Sequence, residues 1–143
     1  AIGPVNHEIT IYFDRHDEIV EDEESSREVY KATIRKVSFG LNTGSYTVVY
    51  DYYFDENGDF IYYWEYMIGY ACYEKILHFD QGKCVKIKQK MTSPEDCFES
   101  EEVDEFERTT LNESDKKIAR NLIRETEQFK KLLQLNYQIM MED

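Results

Sequence analysis

Within the stretch YYFDENGDFIYYWEY, residues 52–66, Asp55, Asn57 and Asp59 alternate along the chain. That is how an oxygen-ligand loop begins to wrap a calcium ion, at its first, third and fifth positions. The rest of such a loop is missing. Its sixth position demands a glycine and holds Phe60, and its twelfth demands a bidentate glutamate and holds Tyr66. The residues read as a hairpin turn, and no metal or cofactor is expected.

Other reactive side chains do not form a recognisable set. His7, His16 and His78 are scattered and build no HExxH motif. His16 and Asp17 fall in a polar segment expected to turn. Cys72, Cys84 and Cys97 lack the CxxC spacing of a zinc or dithiol site, and their odd number argues against a disulfide scaffold. A Cys72–Cys97 bridge is compatible with the layout, which does not specify one. No nucleophile elbow, P-loop or GxGxxG fingerprint occurs. Carboxylates are so abundant that any two could be offered as a glycosidase pair, which empties that signal of meaning without a measured separation. The expected protein is not an enzyme.

The elements that position these groups are mostly strands. The 143 residues suit one domain, and 41% hydrophobic with 15% aromatic residues supports a packed core. Glu8 to Phe13 reads as a strand and residues 21–28 as a solvated acidic loop. Val29 to Phe39 alternates apolar with polar residues, as a half-buried strand requires. Tyr46, Val48, Tyr50, Tyr52 and Phe54 share one face of the next strand. Phe60, Tyr62, Trp64 and Tyr66 share a face of the strand after it. A three-residue loop, Glu56–Asn57–Gly58, pairs Phe54 with Phe60, Tyr52 with Tyr62 and Tyr50 with Trp64, and puts Gly58 in the left-handed position. A second hairpin turns at Asp80–Gly82. Lys86, Lys88 and Lys90 on its return strand read as a solvent-facing basic ladder that discourages edge-to-edge association. Phe-Asp recurs at 13–14, 54–55 and 79–80, before each turn. The irregular spacing excludes a long solenoid and fits a meander of similar hairpins.

Pro94 and the acidic residues around it break the strand pattern. A helix is expected from a cap at Asn112 or Ser114, with Ile118, Leu122, Phe129, Leu133, Tyr137 and Met140 forming its apolar stripe. The predicted architecture is a single α+β domain spanning residues 1–143. It has a meandering antiparallel sheet of about six strands (8–90), an acidic loop (91–112) and a C-terminal helix (113–141) packed on one face.

Net charge is −13, which repels nucleic acid. No apolar run approaches the ~20 residues that span a bilayer. With one aromatic face under the helix, Tyr53, Ile61 and Tyr63 on the other face form the candidate exposed patch for a protein, peptide or glycan.

The segments Tyr52 to Ile61, Phe79 to Val85 and Ser114 to Leu135 resemble an uncharacterised bacterial family of secreted or lipoprotein-like proteins with YYFDENG-type hairpins and a C-terminal helix. The resemblance covers roughly half the chain. It implies a cell-envelope location with a signal or lipid anchor removed, and carries no catalytic residue. The function expected is a non-catalytic envelope binding or interaction module. The alternative is an acidic cytosolic inhibitor, such as an immunity protein that blocks a toxin.

Overall fold

The computed structural model describes residues 6–21, 23–69, 72–92 and 104–142, with side chains described for these except at 6, 7, 17, 30, 92, 104 and 137–142. The fold is α+β. Among the described residues, seven antiparallel strands form one sheet in strict sequence order: β1 (Asn6–Glu21), β2 (Ser26–Asn42), β3 (Thr47–Phe54), β4 (Phe60–Ile68), β5 (Cys72–Asp80), β6 (Lys83–Thr92) and β7 (Asp104–Arg108). The helix α1 (Glu113–Glu142) packs against one face.

Two expectations change here. The segment holding His16 continues β1 rather than turning, so β1 and β2 pair from Glu21↔Ser26 to Asn6↔Asn42. Their distal halves project beyond β3 as a two-stranded arm, since β3 pairs only with Lys36 to Asn42 of β2. The acidic segment after the second hairpin contributes a seventh strand. β6 is therefore not an edge: Lys86 pairs with Glu107 at 2.8 Å and Lys88 with Glu105 at 2.9 Å. Opposite charges on neighbouring strands make β7 the natural cover for the basic ladder.

The turn at residues 55–59 forms as its chemistry dictates. Asp55 N–H donates to Asp59 O at 2.9 Å and Gly58 N–H to Asp55 O at 3.0 Å. The Asp55 carboxylate accepts from the amides of Asn57 and Asp59, both at 2.9 Å. Gly58 takes φ +83°, a left-handed conformation in which a Cβ is strained.

Beyond the turn, the pairing departs from simple alternation. Phe54 faces Phe60, but Tyr53 faces Tyr62 and Tyr52 faces Tyr63. Ile61 has no counterpart and forms a bulge. The same defect recurs twice. Arg35 is skipped between Phe13↔Ile34 and Tyr12↔Lys36, and Val85 between Phe79↔Cys84 and His78↔Lys86. Each bulge lies across from the phenylalanine of a Phe-Asp pair. The sequence echo is thus a structural repeat of three hairpins with one shared irregularity. The bulge lets residues three apart face the same way: Ile34 with Val37, Phe60 with Tyr63, and Cys84 with Ile87 all pack in or against the core.

That core lies between the sheet and α1. Phe54, Phe60 and Phe79 form its floor, with ring centroids 5.6 and 4.3 Å apart along the series. Ala119, Leu122, Thr126 and Leu133 form its roof. Their spacing by three, four and seven residues places them on one helical stripe. Of the expected stripe, Tyr137 and Met140 lie outside the described side chains. Asn112 caps the helix: its Oδ1 accepts from Asp115 N–H at 2.8 Å, and its own N–H donates to Asp115 Oδ2 at 3.1 Å. This reciprocal pair satisfies amides that the first turn leaves open. Arg108 of β7 adds a 2.8 Å ion pair to Asp115 and ties the last strand to the helix start. Gln134 Oε1 accepts from Ala32 N–H at 3.2 Å and anchors the far end of α1 to the β1–β2 arm.

Cys72 is fully buried and disulfide-bonded, whereas Cys84 is a free, half-buried thiol. Cys97 lies outside the described residues. Among the described residues no helix is long and apolar enough to cross a membrane.

Candidate functional site

The bulges decide which aromatic residues are available. Tyr63 is 3% exposed and belongs to the core, while Ile61 is 41% exposed at the bulge. Tyr53 lies on the face away from the helix. The expected Tyr53/Ile61/Tyr63 patch is therefore not one surface. Strict alternation assigns residues 61 and 63 to one face, and the extra residue in β4 rotates Tyr63 to the other. Tyr62 and Trp64, expected in the core with Phe60, are instead on the face away from α1 with Tyr53.

That face, which no described residue of α1 covers, carries a row of side chains in continuous register across six strands: Tyr12, Lys36, Tyr53, Tyr62, His78 and Lys86. The Lys36 Nζ lies 5.5 Å from the Tyr12 ring centroid and 5.1 Å from that of Tyr53, a cation shared by two π faces. Tyr53 meets Tyr62 edge-on at 5.4 Å, and Tyr62 meets His78 edge-on at 5.1 Å. Next to this row, Trp64 and Tyr66 lie nearly parallel, with centroids 5.4 Å apart.

A buried carboxylate stabilises the row from within. Asp51 accepts from Ser38 Oγ at 2.6 Å and from the Tyr53 hydroxyl at 3.5 Å, and lies 4.0 Å from Lys36 Nζ. Burial, followed by the nearby Lys86, lowers the pKa of His78. Both effects favour the neutral imidazole, an uncharged donor and acceptor among the rings. Burial likewise raises the pKa of Tyr62.

A groove of about 400 Å³ runs beside α1, lined by Ile9, Phe39, Tyr50, Tyr52, Tyr63, Leu122, Glu125 and Phe129. Tyr52 donates to Glu125 at 2.7 Å. Beside the groove, the Glu65 carboxylate accepts from Tyr63 at 2.5 Å and also from Tyr73. Burial and these carboxylates push all three phenols far above their ordinary range, so they remain donors.

His16 is exposed on β1, far along the chain from the row that holds His78. Asp55 directs one carboxylate oxygen at its own turn amides. Among the described residues, no three His, Cys, Asp or Glu side chains gather in a metal-holding cluster. The clue to the true faces was the spacing of three between Phe60 and Tyr63, repeated at 34 and 37 and at 84 and 87. Comparisons with family models, with curated proteins and with solved structures find no match to this chain.

Proposed function

We propose that this chain is a non-catalytic binding or interaction domain of the bacterial cell envelope, with the sheet face away from α1 as its partner surface. The observation that carries this reading is the Tyr12–Lys36–Tyr53–Tyr62–His78 row, with the Trp64–Tyr66 pair beside it. Tyr and Trp supply large contact area with few rotatable bonds, and their polar atoms can pair with a protein, a peptide or a glycan. Here they stand on paired strands rather than on loops. The net charge of −13 disfavours nucleic acid as the partner.

The disulfide at Cys72 supports an oxidising compartment, because such bonds persist in secreted and envelope proteins and are rare in the cytosol. It weighs against the cytosolic inhibitor.

The test is capture of solubilised envelope protein and of defined cell-wall glycans by the purified domain. Wild type is compared with Tyr53→Ala/Trp64→Ala, with folding checked by circular dichroism. Selective loss of a partner in the folded variant supports the surface. Undiminished recovery of every partner refutes it.

A further inference from the structure

We propose that the groove beside α1 is a binding site for an organic ammonium cation, held by the rings of Phe39, Tyr50, Tyr52, Tyr63 and Phe129 and by the carboxylate of Glu125. This site lies on the opposite side of the sheet from the partner surface and does not depend on it.

The enclosure is built from strand and helix together. Phe39 of β2 and Tyr50 of β3 have ring centroids 5.6 Å apart. Tyr52 meets Tyr63 of β4 at 5.1 Å and Phe129 of α1 at 5.3 Å, edge-on in both cases. Rings turned to one another at such angles form walls rather than a single stack. Walls of this kind present several π faces to one cation, the arrangement that recognises quaternary ammonium groups.

The electrostatics favour a cation in two further ways. Among the described residues, none that lines the groove is Lys, Arg or His, whereas Glu125 brings a carboxylate to the exposed side. Tyr52 and Tyr63 also donate their hydroxyl protons to carboxylates, Glu125 and Glu65. A phenol that donates to an anion gains electron density in its ring, which strengthens its attraction for a cation. Lys75, the neighbour of Glu65 on β5, does not line the groove. The same aromatic layer already receives an ammonium group elsewhere: Lys130 Nζ lies 5.6 Å from the Phe54 ring centroid. The groove's volume of about 400 Å³ leaves room for a trimethylammonium head and a short polar tail.

Titration with tetramethylammonium and with choline, followed by NMR chemical shifts, tests the site. The control is 3,3-dimethylbutan-1-ol, a neutral molecule of choline's shape. Saturable shifts at Tyr50, Tyr52 and Phe129 are expected, with the neutral analogue binding at least roughly fivefold more weakly. Tyr50→Leu and, separately, Glu125→Gln should weaken choline binding by a similar factor, while Ile19→Ala, on the exposed distal part of β1, should leave it unchanged. Sedimentation with phosphatidylcholine vesicles distinguishes a lipid headgroup from a free solute as the source. Absence of saturable shifts with either cation overturns the proposal. So does equal binding of the neutral analogue, or choline binding that survives both groove substitutions.

Discussion

Tyr52 of β3 donates its hydroxyl to Glu125 of α1 at 2.7 Å, joining sheet and helix across 73 residues of sequence. Its ring, 5% exposed, also lies edge-on to Phe129 one turn further along the helix. The residue thus fixes both the height and the rotation of α1. Removing only the hydroxyl, in Tyr52→Phe, should cost about 1 kcal/mol, because exposed Glu125 recovers water when its partner is lost. Tyr52→Ala also empties a buried aromatic site and should cost about 3–5 kcal/mol. Urea denaturation of both variants, with unchanged slope, measures the two values.

The bulge at Ile61 makes an unusual prediction about deletion. Ile61 has no counterpart on β3, so removing it restores plain alternation while Phe60, Tyr62 and Tyr63 keep their faces. The shortened chain should still unfold cooperatively. Deleting Val49, within the regular pairing of β3, instead inverts every residue on one side of the gap. That variant should lose its near-ultraviolet dichroism. Recovery of native spectra by the Val49 deletion, or their loss in the Ile61 deletion, would contradict the register.

His78 should make stability depend on pH. Burial holds its folded-state pKa below the ordinary 6.5, so the unfolded chain takes up this proton first. The stability linked to His78 is fully present above 6.5 and is lost as pH falls through the lowered folded value. Thermal unfolding between pH 7.5 and 5 should show a midpoint that falls with acidification. The fall should be shallower in His78→Gln. Parallel curves for the two proteins would remove His78 as a cause.

The cysteines separate by chemistry. Reduction of the Cys72 disulfide should cost about 2–5 kcal/mol in denaturant midpoint analysis. Burial raises the pKa of the Cys84 thiol, so its alkylation in the oxidised native protein should be slow near neutral pH and accelerate as pH rises. Cys84→Ser should leave the effect of reductant unchanged. A reductant effect that disappears with Cys84→Ser would assign the stabilisation to the wrong cysteine.

Much of the architecture was legible because its causes are local. Asp55, Asn57 and Gly58 carry their own turn, Asn112 carries its own cap, and alternating aromatic residues specify strands without reference to distant parts of the chain. The Phe-Asp echo marked the turns of the second and third hairpins, whereas at Phe13-Asp14 it marks a bulge within a strand that runs on to Glu21. The candidate surface was less legible. Both faces of β3 and β4 are aromatic, so polarity could not say which one the helix covers. The decision came from packing: Phe60 and Tyr63 both enter the core beneath α1, and only a bulge at Ile61 allows residues three apart to do so. The seventh strand was hidden for a similar reason. Glu105 and Glu107 look like solvated loop until Lys86 and Lys88 lie beside them. Turns and caps depend on neighbours in sequence. Register, sheet edge and the choice of buried face depend on contacts between distant residues, and these form only when the chain folds.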